Sequence, residues 1–401
     1  MHKNLSSKKK GSYTEFEAKP QKERTQNMIK LVATCLFGLE KVLGEEIDAL
    51  GYRRINTIDG RVVFEAPERA VATCNIRLRY AERVLILLGE FRADTFEDLF
   101  QGTKAIPWED WIGREGAFPV KGHSVRSALY SIPDCQKIIK KAIVDRLASV
   151  YHIARLPETG TLYQIEFFIL KDVAHIMIDT TGVTLHKRGY RPQANAAPLR
   201  ETLAAAMVKM ARPRENVLLC DPLCGSGTIA IEAALLTGNI APGIRRSFSA
   251  ERFALLSPSV WREEREKANS EVISPICKIY ASDIDPACVE IARENARRAG
   301  VLDRIDFKVA DVRSFKSPEK DARGTIVTNP PYGERLGDLR EARELAAKMG
   351  VTFRREVPSW QLYIISSDEQ YEQYFGRRAD KTRRLYNGMI RCGFYQFFKQ
   401  K

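Results

Sequence analysis

The sequence has no long unbroken apolar run. Even a hydrophobic stretch such as YQIEFFIL (163–170) is interrupted by charge and falls well short of the roughly 20 residues of a membrane-spanning helix. The N-terminus lacks the apolar segment of a secretory signal. Eight cysteines are scattered over 401 residues and none forms a C-x-x-C pair, the nearest two being Cys220 and Cys224. That argues against a disulfide framework and for reduced thiols in the cytoplasm. The five histidines show no ligand spacing, so no metal centre is expected. Internal repeats and low-complexity tracts are also missing.

What remains is an ordinary globular composition, 44% hydrophobic and 29% charged, in a chain long enough for two or three domains. Lysine and arginine number 64 against 51 aspartates and glutamates, a formal charge of +13. Such an excess serves general solubility or a polyanionic partner, because cations on phosphates release counterions and give sequence-independent affinity.

Residues 1–27 are polar, basic and without apolar periodicity, which predicts a disordered tail. Residues 28–95 read as a small β-α-β-α-β unit whose first helix carries Leu39, Leu43, Ile47 and Leu50 on one face. Residues 96–182 predict a second unit: a strand, a helix burying Ile138, Ile139, Ala142, Ile143, Leu147 and Val150, then two strands turning at Lys171-Asp172. Lys121, Arg126, Lys137, Lys140 and Lys141 stud this unit. The last three share a helix face, either a phosphate-facing stripe or a plain solvated one. Residues 183–200 have the turn formers and charge of a linker, with Lys187, Arg188 and Arg191 as further candidate phosphate contacts. From 201 to 401 strands and helices alternate, as in a doubly wound, mostly parallel sheet. Its strands are NVLLCD (216–221), KIYASD (278–283), IDFKVAD (305–311), GTIVTN (324–329) and WQLYIIS (360–366), and a C-terminal hairpin brings the number to seven.

In such a sheet, ligands bind beyond the carboxyl ends of the strands. The first strand runs into DPLCGSGT, where Gly225 and Gly227 allow a tight turn and Cys224 and Thr228 complete the loop into a helix. Asp221, four residues before Gly225, would repel a pyrophosphate but suits a ligand with an ammonium group. At the second strand end, Asp283 or Asp285 can accept ribose hydroxyls, or else cap a helix. At the third, Asp311 can accept an adenine amino proton while Val312 covers the ring. Together these describe a site for S-adenosylmethionine. The fourth strand ends in Asn329-Pro330-Pro331-Tyr332. There a side-chain oxygen and a carbonyl fixed by prolines can hold the hydrogens of an exocyclic amine, with Tyr332 stacking on its base.

DPLCGSGT, SDID, TNPPYGERLG and HKRGYRPQANAAPLRETLAAAM together resemble the THUMP-domain methyltransferases, and most of all the bacterial guanine-N2 methyltransferases of 23S ribosomal RNA. The resemblance implies a ferredoxin-like subdomain, a THUMP RNA-binding domain and a Rossmann-like class I methyltransferase domain. It carries cofactor contacts onto Asp221, Gly225, Gly227, Asp283 and Asp311, with Pro198 and Leu199 bordering the cofactor, and the amine site onto Asn329–Tyr332. It also implies RNA, 23S ribosomal RNA or its precursor, as partner. An adenine-N6 methylase uses the same four-residue ledge, and a non-catalytic RNA-binding module would keep only the N-terminal half. Neither the modified nucleotide nor the oligomeric state is written in these motifs.

Overall fold

The computed structural model describes residues 27–191, 199–332 and 339–398. Most of the predicted tail, residues 1–26, lies outside them. The N-terminal half builds one seven-stranded sheet in the order β2-β3-β1-β4-β7-β6-β5. Its strands are β1 (Met28–Thr34), β2 (Arg53–Ile58), β3 (Arg61–Pro67), β4 (Arg83–Arg92), β5 (Val120–Val125), β6 (Ile165–Leu170) and β7 (Val173–Asp179). Helices α1 (Glu40–Ala49), α2 (Ala70–Arg77), α3 (Phe96–Lys104) and α4 (Ile132–Tyr151) accompany it.

The α1 face is as expected, with Leu39, Leu43 and Ile47 fully buried. The first unit differs from the predicted pattern by one strand, β2. Almost every residue of β2 is exposed, so it carries no apolar alternation and forms only as the edge partner of β3. On α4 the core face includes Cys135, Ile139, Ala142, Ile143 and Leu147, whereas Val150 is exposed. The turn between β6 and β7 places Lys171 and Asp172 both at positive φ, +49° and +64°. It has no glycine, and the Asp172 carboxylate helps to hold it by accepting from the Ala128 amide at 2.8 Å. The two predicted units are not separate sheets. β4 pairs with β1 on one side and β7 on the other, so a single ladder runs through both.

The second sheet has the order β10-β9-β8-β11-β12-β14-β13. Its strands are β8 (Val217–Asp221), β9 (Ile279–Asp283), β10 (Ile305–Val309), β11 (Arg323–Thr328), β12 (Gln361–Ser366), β13 (Lys381–Asn387) and β14 (Ile390–Phe397). The first five are mutually parallel and β14 runs antiparallel between β12 and β13. Around them lie α5 (Glu201–Ala211), α6 (Thr228–Thr237), α7 (Pro258–Ser270), α8 (Pro286–Ala299), α9 (Leu339–Glu356) and α10 (Tyr371–Phe375). β8 and β11 sit centrally and are almost wholly buried, which is why they read as short apolar runs. The order of strands reverses at β8, so the crevice beyond the carboxyl ends of β8, β9 and β11 is where a ligand belongs.

The two halves are bolted together by ion pairs across α2 and α7. Arg69 donates to Glu263 and Glu264, each at 2.6 Å, and Arg77 reaches Glu271 at 2.5 Å.

Candidate active site

At the carboxyl end of β8 the Asp221 carboxyl is 1% exposed and accepts the Thr328 hydroxyl of β11 at 2.8 Å. Burial pushes its pKa up to about 7, since desolvation disfavours the charged form. The chain then turns through the glycine loop, which is stitched to β9. The Cys224 amide donates to the Ser282 carbonyl at 2.9 Å, and the Gly227 amide to the Cys224 carbonyl at 2.7 Å. The Gly225 amide donates to Asp283 Oδ2 at 2.9 Å.

The two glycines serve different ends. Gly227, at φ +82°, leaves no room for a side chain, because a Cβ would lie 2.9 Å from Ala292 Cβ on α8. Gly225, at φ +48°, has nothing within 4 Å of where its Cβ would be, so the backbone there faces open space that a ligand can fill. Thr228 begins α6, and its hydroxyl accepts from Arg191 Nη1 at 3.0 Å.

The acids at the next strand ends separate by role. Asp283 accepts the Asp285 amide on Oδ1 and the Gly225 amide on Oδ2. Each oxygen keeps a second lone pair for a hydroxyl. Asp285 is the N-cap of α8, its carboxylate accepting the Ala287 amide at 2.8 Å, so of the two candidates it fills the capping role. Asp311 is engaged by Arg313, whose backbone amide and Nε donate to it at 2.8 and 2.6 Å. This pairing holds the carboxyl below its usual range. Val312 does not present an open face over the crevice. It is 3% exposed and belongs to a buried cluster that includes Ile326 and Phe353.

β11 lies between β8 and β12 and delivers the next group. Asn329 is half-buried, Pro330 buried, Pro331 exposed and Tyr332 half-buried. The Tyr332 hydroxyl donates to Asn329 Oδ1, a contact between the two ledge residues that the motif alone did not disclose. Thr328 was also missed. A threonine ending an apolar strand carries no signal until the neighbouring strand shows what it binds.

Leu199 is buried, and Pro198 lies outside the described residues. Both cysteine thiols near the loop, Cys220 and Cys224, are buried and pushed far above their ordinary pKa by desolvation, the opposite of an activated nucleophile.

The candidate RNA contacts divide. Lys121, Arg126, Lys137, Lys141 and Lys187 are exposed. Lys140 is drawn inward instead: it donates to Glu158 at 2.6 Å and to the Phe118 carbonyl, and lies 3.6 Å from the Phe118 ring centroid. Arg188 is buried, with its donors on Glu232 and the carbonyls of Leu185 and Arg79. Arg191 is half-buried and paired with Glu201 at 2.7 Å. Arg188 thereby ties the two halves together from inside the protein, and Arg191 is committed to Glu201 and Thr228 within the C-terminal half.

The chain matches an RlmL ferredoxin-like domain over residues 30–85, a THUMP domain over 93–179 and an RMKL-like methyltransferase domain over 188–396. It is 43% identical over 376 residues to a Bacillus subtilis protein called "Putative RNA methyltransferase YpsC", covering 92% of this chain and 96% of that one. With the "Ribosomal RNA large subunit methyltransferase K/L" of Psychromonas ingrahamii the identity is 35%, over 88% of this chain and 48% of the relative. The chain thus spans about half the length of the K/L proteins. Among solved structures, "SMU.472, a putative methyltransferase complexed with SAH" superposes with a TM-score of 0.86 at 41% identity, covering 94% of this chain and 99% of that one. By fold, strand-end geometry and these matches, the chain belongs to the RMKL-like methyltransferase family, with RlmL ferredoxin-like and THUMP domains preceding the methyltransferase domain.

Proposed function

We propose that this protein is an S-adenosylmethionine-dependent RNA methyltransferase of the cytoplasm that modifies an exocyclic base amine, guanine N2 of 23S ribosomal RNA or its precursor. The observation that carries the reading is adjacency. The amine ledge ends β11, and the buried acid and glycine loop end β8, its direct neighbour in the sheet.

The residues fit the cofactor. Gly225 opens onto free space, the Asp283 oxygens have acceptor sites left for ribose hydroxyls, and Asp221 suits an ammonium group. S-adenosylmethionine supplies an activated methyl on its sulfonium. The protein's part is to present the amine. Asn329 Oδ1 has two lone pairs; Tyr332 occupies one, and the other is available to an amine hydrogen. Stacking of the base on Tyr332 adds about 1–3 kcal/mol, and the prolines keep the backbone acceptor from swinging away. The base must leave its helix to arrive there. With Cys220 and Cys224 held as thiols, the transfer is direct, without a covalent enzyme intermediate. Lys121, Arg126, Lys137, Lys141 and Lys187 are the exposed cations of the N-terminal half and linker proposed to hold flanking RNA.

The test is transfer of radiolabelled methyl groups to 23S ribosomal RNA from a strain lacking the enzyme, with DNA in parallel and the product nucleosides identified by mass spectrometry. N2-methylguanosine is expected; N6-methyladenosine would move the target to adenine. Asn329→Ala is expected to abolish transfer while S-adenosylmethionine binding stays near normal, and a fully active variant would sink the assignment of the ledge.

A further inference from the structure

A cleft of about 1230 Å³ lies away from the methyl-transfer end of the sheet. It opens at the opposite edge, where β8, β12 and β13 begin and β14 ends, with α1 of the N-terminal half along its side. Strands of five to seven residues put it on the order of 20 Å from the strand ends that carry Asp221 and Asn329.

Its lining is one-sided in charge. Lys209, Arg212, Arg214, Lys381 and Arg383 all face it, with Lys41 at the rim, against a single acid, Glu45. Among the described residues, Lys41 is 3.9 Å from Glu45, whereas none of the other five cations is within ion-pair distance of a carboxylate. Lys209, Arg212, Arg214 and Lys381 are exposed.

Two donors at the back of the cleft make it more than a solvated basic rim. Gln396 is 5% exposed, yet its Nε2 has no hydrogen-bond partner, and the same holds for the buried Nε of Arg383. Both line the cleft. A buried donor without a partner is costly, and each of these would be relieved if its side chain turned toward an acceptor in the cleft. Here both orphans are donors and their surroundings are cationic, so the missing partner is an anionic acceptor. The cations come from the end of α5, the turn before β8 and the start of β13. That spread suits several successive phosphates better than one compact ion.

We propose that this cleft binds the phosphate backbone of the RNA substrate, as a second anchoring site remote from the methyl-transfer site. The inference rests on the RNA methyltransferase reading given above. The enzyme would then grip its substrate at both ends of the sheet, with the target nucleotide held at one end and a flanking segment at the other.

The test measures binding of a fluorescently labelled 23S ribosomal RNA transcript by anisotropy over a salt series. It compares the full chain with a Lys209→Glu, Arg214→Glu, Lys381→Glu variant. Losing three phosphate contacts is expected to reduce the slope of log K against log salt by about 2 to 3. Affinity should fall at least tenfold at low salt, with S-adenosylmethionine affinity and thermal transition unchanged. Should the triple variant fail to fold, the neutralising Lys209→Ala and Lys381→Ala variants are each expected to lower the slope by about 0.7 to 0.9. An unaltered affinity and slope would overturn the proposal, as would a cleft that binds a free mononucleotide while RNA affinity is untouched by these changes. Asn329→Ala serves as the separating control. If it abolishes methylation but the cleft variants bind RNA normally, the cleft fails and the enzyme assignment stands. If the unmodified chain does not bind RNA at all, both fail together.

Discussion

The two glycines of the cofactor loop offer a test in which one kind of substitution produces two different failures. Alanine at either position places a Cβ at positive φ, which costs roughly 1–2 kcal/mol, partly offset by about 0.4–1 kcal/mol from a less flexible unfolded chain. At Gly225 that is the whole folding cost, on the order of 1 kcal/mol, because no atom lies within 4 Å of the new methyl. At Gly227 the methyl meets Ala292 Cβ at 2.9 Å and Ala292 Cα at 3.3 Å on α8. Overpacking of that kind adds about 1–3 kcal/mol. Gly227→Ala should therefore lower the thermal transition clearly more than Gly225→Ala.

For the ligand the order reverses. The Gly225 methyl enters the space the loop keeps open, so Gly225→Ala is expected to weaken S-adenosylhomocysteine at least tenfold in calorimetry. Gly227→Ala, in whatever fraction remains folded, should bind closer to normally. Normal binding by Gly225→Ala, or equal destabilisation by the two variants, would refute the assignment of separate roles.

Burial pushes the Asp221 carboxyl up to about 7, and an ammonium beside it favours its ionised form. Affinity for S-adenosylmethionine should thus fall as pH drops below 7, approaching tenfold per unit, and Asp221→Asn should bind weakly with a flat profile. A calorimetric pH series with no change between pH 6 and 8 in the unmodified chain would count against Asp221 as the ammonium partner. Arg188→Met leaves Glu232, itself fully buried, without its cation and should destabilise the protein by about 3–5 kcal/mol. Denaturant melts check this, and a variant of normal stability with reduced RNA affinity would instead return Arg188 to the RNA surface.

What could be read from the sequence depended on whether the deciding partner was near in the chain. The parallel strands were legible because burial on both faces makes them apolar runs stopped by turn residues, and ligand chemistry collects where they stop. Asn329 and Tyr332 were legible as residue types for the same reason. β2 was not, since an exposed edge strand needs only a partner, and β3 supplies one through backbone hydrogen bonds. Asp283 and Asp285 stand two residues apart and both are acids ending a strand. Only the path of α8 shows that the second caps the helix while the first binds the loop amide. Arg188 and Arg191 sit among turn formers, where a cation is normally solvated. What draws them inward is Glu232, 44 residues on from Arg188, and Glu201, acids that local pattern cannot pair. The same reasoning bears on the basic cleft. Its cations come from α5, the turn before β8 and β13. A surface assembled from dispersed residues has no motif, so neither the net charge of +13 nor the basic run RRADKTRR (377–384) points to it alone, and the fold was needed to show where part of that charge converges.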